Sequence, residues 1–293
     1  MGPWVAGIIE EWIETPPDPI PDPPAVRAGF KTVAEARAIL AEHPEWRLRA
    51  DLQMHTTWSD GTLPLDEMVR LAGKRGYEHV AVTDHSQELP IARGMDEAKL
   101  LRQGEAIDRL NRELAEEEAS IRALRAIEMN LSPAGEGDMD PEVLGTLDLV
   151  LGAFHSKLRV TEDQTDRYLA ALANPTIHVL AHPRGRRWGT RPGLQADWKR
   201  VAEAAAERGV ALEVDAFPDR QDLEVGLLSH VREAGGWVSI GTDAHRPEEL
   251  GFMDLGVAAA IAAEIPRDRI LNFLATEELR AWAARGRSVA SGH

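Results

Sequence analysis

LRADLQMH, residues 48–55, is a short run with apolar positions that stops at His55, a side chain able to bind a metal. The same construction returns along the chain. HVAVTDH (79–85) stops at Asp84 and His85, LRAIEMN (124–130) carries Glu128, and DLVLGAFHS (148–156) stops at His155. HVLAHP (178–183) reaches His182, ALEVDAF (211–217) carries Glu213 and Asp215, and WVSIGTDAH (237–245) stops at Asp243 and His245. Asp60 lies just past the first run, in SDG (59–61). Packing alone gives no reason for a metal-binding residue to close each run. The recurrence predicts a parallel α/β barrel whose strands deliver ligands to one rim.

The segments between the runs fit that reading. Helical spacing predicts helices over 64–75, 96–118, 161–173, 194–208, 221–234 and 254–264, with two short ones near the C-terminus. Gly76, Gly209 and Gly236 stand where helices should end before the next strand. Strands alternating with helices require a parallel sheet with right-handed crossovers. The runs number seven, one short of the common eight-stranded barrel, so the expected fold is a distorted, TIM-like (β/α)7 barrel over 48–293.

Residues 1–47 differ. GPWVAGIIEEWI (2–13) has helical spacing, PPDPIPDPP (16–24) reads as an extended linker, and Thr32 with Glu35 forms a candidate capping box for a helix through VAEARAIL. This part is expected to be a helical, proline-rich extension.

At 293 residues the length prior suggests about two domains, yet α/β barrels of this size commonly form one. The absence of cysteine excludes disulfides and thiolate zinc sites, so a metal must sit among nitrogen and oxygen donors. No apolar run approaches the roughly 20 residues of a membrane span. MGPWVAGIIEEWIE lacks the basic start and apolar stretch of a signal peptide, so a cytoplasmic, soluble protein with no membrane partner is expected. A formal net charge of -16 argues against indiscriminate nucleic-acid binding. Against that acidic background RGRRWGTR (184–191) places four arginines after His182, and Lys157 and Arg159 follow His155. A basic rim of this kind suits an anionic substrate.

Residues i and i+2 of a strand share a face, so Gln53 with His55, Glu213 with Asp215, and Asp243 with His245 should point into one mouth. His55, Asp60, His85, Glu128, His155, His182, Asp243 and His245 exceed what one ion needs. Two or three divalent ions (manganese, zinc or iron) follow, with Glu128 as the bridging carboxylate. Asp84 reads as a cap of the turn after its own strand, and Glu213 and Asp215 as residues that orient ligands. His43, His79, His178, His230 and His293 fall away from strand ends and read as structural or exposed.

DLQMHTTWSDG, VTDH, AIEMN, FHS, AHP and GTDAH, in that order, resemble the PHP (polymerase and histidinol phosphatase) family of metal-dependent phosphoesterases. The resemblance spans roughly 48–285. TTWSDG, HPRGRRWG and FPDRQDLE are most similar to the PHP domain of bacterial X-family DNA polymerases. GPWVAGIIEEWI resembles half of a helix-hairpin-helix, too little to support that function. The resemblance implies up to three ions: one at Gln53, His55, Glu128 and Asp243, a second at Glu128, His155 and His182, and a third at Asp60, His85 and His245. The family pattern opens HxH, whereas Gln53 stands at the first position here, and an amide oxygen is a weaker ligand than imidazole for zinc.

The expected activity is hydrolysis of a phosphate ester. A water shared by two cations, its pKa lowered, would act as hydroxide on phosphorus. Glu128, Asp243 and His245 are the candidate catalytic residues, and Lys157, Arg184 and Arg186 the candidate phosphate-binding cations. The substrate would be a small phosphomonoester or nucleotide, or a DNA 3′ end. A competing reading is a non-catalytic metal-binding partner in a DNA-repair complex.

Overall fold

A computed structural model describes residues 2–15, 22–87 and 89–290. Residues 16–21 of the expected linker, and His293, lie outside the described residues. Seven parallel strands follow one another around the sheet in chain order: β1 (Ala50–Met54), β2 (His79–Val82), β3 (Arg122–Asn130), β4 (Leu149–Ala153), β5 (Val179–Ala181), β6 (Ala211–Asp215) and β7 (Val238–Gly241). The last strand returns to the first. His55 N–H donates to the Ala244 carbonyl at 2.8 Å, and Asp243 N–H to the Gln53 carbonyl at 3.0 Å. Lower down, buried Asn272 stitches the same seam, donating to the Ala50 and Ile240 carbonyls and accepting from Ile240 N–H. The (β/α)7 barrel expected from the sequence is the observed fold.

Ten helices accompany the strands among the described residues: α1 (Pro3–Glu14), α2 (Val33–Glu42), α3 (Leu65–Lys74), α4 (Glu97–Glu116), α5 (Pro141–Leu144), α6 (Thr165–Leu172), α7 (Trp198–Arg208), α8 (Val225–Glu233), α9 (Met253–Ala262) and α10 (Thr276–Ala290). Their sequences explain their faces. Leu65, Met68, Val69 and Ala72 of α3 recur on one helical stripe and are all buried. Asp96 and Asp197 cap α4 and α7 through N–H bonds from Lys99 and Arg200. Thr32 and Glu35 form the capping box read from the sequence.

Two expectations are corrected. The turn after α8 uses Gly235, at φ 66°, rather than Gly236 as the left-handed residue. Instead of two short C-terminal helices, two 3-10 turns lead into α10, which has 15 residues. Its role is visible in the core: Leu279, Trp282 and Ala283 pack with the small inward residues Ala50, Ala81, Ala126 and Ala211. That cluster fills one end of the barrel and leaves the opposite, C-terminal ends of the strands to polar side chains.

The N-terminal extension is docked in part. Ala36 of α2 is buried with Leu255 and Ala258 of α9, while α1 has no buried residue. None of the described helices is long and apolar enough to cross a membrane.

Candidate metal centre

Glu128 is the hub of the open end. It lies near the end of β3, is 1% exposed, and is approached from four other strand ends. Its Oε1 stands 2.7 Å from His182 Nε2 and 3.0 Å from His155 Nε2. Its Oε2 stands 3.3 Å from His85 Nδ1 and 3.4 Å from His55 Nε2, and it accepts from Gln53 Nε2 at 3.1 Å. Gln53 and His55 therefore share the inward face of β1, as strand alternation requires.

The remaining candidates complete the mouth. His55 Nε2 is 3.0 Å from Asp243 Oδ1, and the His55 ring stacks on those of His85 and His245 at 4.5 and 4.2 Å. Asp60 Oδ1 lies 3.4 Å from His245 Nε2 and 3.7 Å from His85 Nε2. Three sets of donors are each compact enough for one ion: His55, Asp60, His85 and His245; His85, Glu128 and His155; His55, Glu128 and Asp243. All nine metal candidates from the sequence thus converge, although His55 and His85 are shared between groups and His182 reaches the centre through Glu128.

Backbone and buried polar groups set these positions. The turn after β1 is fixed by Asp84, which accepts from Thr56 N–H, Thr56 Oγ1, Ser59 N–H, Ser59 Oγ and Gln103 Nε2, all within 3.1 Å. Asp84 is expected to cap the turn after its own strand, β2, and instead reaches across to the turn after the neighbouring strand β1. Gly61 is required there: a Cβ at this position would lie 2.6 Å from the His55 carbonyl. Glu213 accepts the His182 backbone N–H at 2.6 Å, an orienting contact of the kind expected of it. His155 Nδ1 meets Asn130 Oδ1 at 3.1 Å, a partner the sequence reading missed although it lies two residues beyond Glu128.

The electrostatics suit divalent cations. Burial alone would raise Glu128, but the imidazoles of His85 and His182 and hydrogen bonds from His155 and His182 hold it well below the usual carboxylate range. Burial likewise opposes the ionisation of Asp243, and Arg220 and His55 overcome it. Burial pushes His85 down to about 3, which keeps it neutral. His245 is the exception: despite burial, Asp60 and Asp243 raise it to about 10, so binding an ion there must displace a proton. Gln53 Oε1 and His55 Nδ1 are buried without a hydrogen-bond partner. Ionised carboxylates, neutral imidazole and unsatisfied donor atoms, with no thiol, fit manganese, zinc or iron.

The phosphate-binding candidates fare differently. Arg184 and Arg186 are 7% and 2% exposed, whereas residues 187–190 of the same loop are exposed. Both pair with Glu224, Arg184 at 2.8 Å, and Arg186 also stacks over Phe30 at 3.8 Å. They are engaged in the fold because their loop folds back beneath the N-terminal extension, where a buried guanidinium needs a carboxylate. Lys157 is exposed and does not border the mouth cavity. The cations that do are Arg187, Arg220 and Arg246, around a space of about 390 Å³ shared with Asp60, Asp243 and His245. Arg220 Nη1 lies 3.0 Å from Asp243 Oδ2 and 3.6 Å from Asp215 Oδ2. The sequence reading missed Arg220, although it follows a ligand-orienting strand within FPDRQDLE.

Comparison with known proteins agrees with this geometry. Residues 51–216 match the PHP domain family. A DNA polymerase/3'-5' exonuclease PolX from Bacillus subtilis is 36% identical over 240 residues, covering 82% of this chain, and the chain spans only 41% of that relative. A relative from Escherichia fergusonii, named probable phosphatase YcdX, is 29% identical over 80% of this chain and 94% of its own length. Among solved structures, histidinol phosphate phosphatase from Lactococcus lactis, complexed with zinc, L-histidinol and phosphate, shares the fold with a TM-score of 0.51 at 15% identity, over 84% of this chain and 94% of that one. With more than half of its length matched by the family's domain, this chain belongs to the PHP family.

Proposed function

We propose that the protein is a metal-dependent phosphoesterase acting on small phosphomonoesters. The observation behind this reading is Glu128: a buried carboxylate set among four imidazoles, beside Asp243 and His245, which line a cavity that Arg220 also borders. A barrel needs no such cluster for stability, because buried charge is costly unless it is paired or ligating. Divalent ions held there supply Lewis acidity, which lowers the pKa of coordinated water and offsets phosphoryl charge.

The chain's own residues do the rest. Glu128, placed between two of the donor groups, holds them in register. Arg220 is fixed by Asp243 and Asp215 at the cavity wall, where its planar guanidinium can take two phosphoryl oxygens. His245, 24% exposed at the side chain, is the imidazole that borders the cavity, and Asp60 holds a proton on it. Those positions favour a proton donor to the leaving oxygen at His245 whenever it is not ligating. The cavity volume and the net charge of -16 favour a small substrate over a polymer.

The test is hydrolysis of p-nitrophenyl phosphate and a panel of phosphomonoesters by protein loaded with manganese, zinc or iron. Turnover that vanishes with chelator and returns with metal is expected. Metal-loaded protein that hydrolyses no member of the panel overturns the proposal.

A further inference from the structure

A second group of cations stands beside the metal centre, and the metal chemistry leaves it without a role. Residues 187–191 form a short hairpin. Arg187 N–H donates to the Arg191 carbonyl and Arg191 N–H to the Arg187 carbonyl, each at 2.9 Å, with Gly189 at φ 69° in the turn. Residues paired in this way across antiparallel strands project their side chains to the same face. Two arginines are therefore set side by side. Like charges directly opposite each other destabilise a hairpin, so this arrangement runs against local stability.

The neighbours intensify the conflict. Arg159 reaches the same hairpin, its Nη1 at 3.5 Å from the Thr190 carbonyl. Arg220 approaches from the metal side. Arg191 is held down by burial first and then by Arg220, Arg159 and Arg187. Asp219, which pairs with Arg187 at 2.7 Å, is the acidic residue that counters this effect at Arg191. Arg191 Nε is buried and has no hydrogen-bond partner. Asp219 serves Arg187, and Asp243 and Asp215 serve Arg220, but among the described residues neither Arg191 nor Arg159 forms an ion pair, in a chain of net charge -16.

The hairpin is nevertheless held firmly. Trp188 N–H donates to the Asp219 carbonyl at 2.6 Å, Gly189 N–H to the Val26 carbonyl at 2.8 Å, and Arg27 lies over the Trp188 ring at 4.9 Å. Arg187 borders the mouth cavity with Arg220, while Arg159, Thr190 and Arg191 line a smaller cavity of about 200 Å³ along the same hairpin. A fixed set of repelling, incompletely paired guanidiniums is organised for an anion that is not part of the chain.

We propose that Arg191, Arg187 and Arg159 form a second anion site next to the metal centre, and that the substrate is a small phosphomonoester bearing a second phosphate group. The inference rests on the phosphomonoesterase reading and narrows its substrate class. One phosphoryl group sits at the metal centre against Arg220 and is hydrolysed. The other is gripped, unreacted, by the hairpin arginines, whose forked donors match a phosphate dianion. The net charge of -16 disfavours a nucleic-acid end, with its many phosphates, relative to a small bisphosphate.

The experiment uses the metal-loaded full chain and two matched series: simple alkyl phosphates, and alkanediol bisphosphates from propanediol to octanediol. For at least one spacing, kcat/KM should exceed that of the matching alkyl phosphate by about tenfold or more, through KM. In R191A and in the R159A/R191A double variant this ratio should fall towards one, with metal content unchanged. R191K, which keeps charge but not the fork, should retain an intermediate ratio. Equal kcat/KM for both series at every spacing overturns the second site, as does a preference that survives the double variant. An oligonucleotide with a terminal phosphate that outcompetes every bisphosphate overturns the small-substrate assignment. Failure of both series and of p-nitrophenyl phosphate would instead sink the phosphomonoesterase reading itself.

Discussion

The backbone N–H of His182 is held by the Glu213 carboxylate at 2.6 Å, across the pair of strands β5 and β6. His182 has a φ of 27°, in the left-handed region, and this bond helps to hold it there with Nε2 on Glu128. Burial, then the nearby charge of Asp215, raises Glu213 well above the carboxylate range, so the protonated acid is favoured. Glutamine has the same shape and the same acceptor. Glu213→Gln should therefore keep metal affinity close to that of the wild type, whereas Glu213→Ala should weaken it by about 10- to 100-fold, as loss of a ligand-orienting partner does. Equal losses in both variants, read by metal titration, would show that charge rather than the acceptor matters.

Glu128→Gln tests the hub. Four imidazoles face this carboxylate, and an amide offers one neutral oxygen in place of two anionic ones. The variant should lose most bound metal, measured by elemental analysis after dialysis, and all measurable hydrolysis. Retention of full metal and activity would refute a bridging role.

The two groups of arginines should separate stability from catalysis. Arg186 is buried, shares Glu224 with Arg184 and stacks over Phe30, so Arg186→Ala removes one of two partners of that carboxylate and a desolvated cation–π contact and should cost about 2 kcal/mol, seen as a lower denaturation midpoint. Arg220 borders the cavity, so Arg220→Ala should instead lower kcat/KM for a phosphomonoester by about 100-fold, in the range of a lost transition-state donor. The reverse assignment of effects would restore Arg186 as the phosphate ligand.

This contrast also shows what the sequence could and could not disclose. Ligands such as His155 and His182 were legible because strand ends are local: a run stops, and the next residue faces the mouth. Glu128 was legible because its strand sits in the middle of that series. The arginines were not, because RGRRWGTR contains both kinds, and which of them is buried depends on Phe30, Ala28 and Glu224, residues distant in sequence. Arg220 escaped for a related reason. Its partner Asp243 follows the next strand, and only the pairing of β6 with β7 brings the two within 3.0 Å. Long-range packing, which periodicity does not encode, decides both cases.

Gln53 stands where the resemblance to the PHP family implies histidine, and its Nε2 faces Glu128 at 3.1 Å while Oε1 lacks a partner. Two carboxylates and His55 still favour a cation at this position. With no imidazole from Gln53, that ion should be the first lost to chelator. Gln53→His should slow the loss and raise activity at limiting metal. Unchanged occupancy and rate would mean that Gln53 only donates to Glu128.

His79 offers a pH test remote from the metal centre. It begins β2, is fully buried, and has Nδ1 3.2 Å from Thr276 Oγ1 of α10. Burial first, then Arg49 and Arg280, pushes its pKa from 6.5 down to about 4. The folded pKa is thus below the unfolded one, and the neutral ring contributes stability that is complete above pH 6.5. As pH falls, the unfolded chain takes up a proton that the folded chain refuses, so this contribution is lost progressively between about pH 6.5 and 4. The full loss amounts to about 3 kcal/mol at most. Many carboxylates also titrate in this window, which is why the comparison must be with a variant. His79→Gln, neutral throughout, should show a smaller drop in Tm between pH 7 and pH 5 than the wild type does. Parallel curves for the two proteins would show that His79 titrates alike in the folded and unfolded chains.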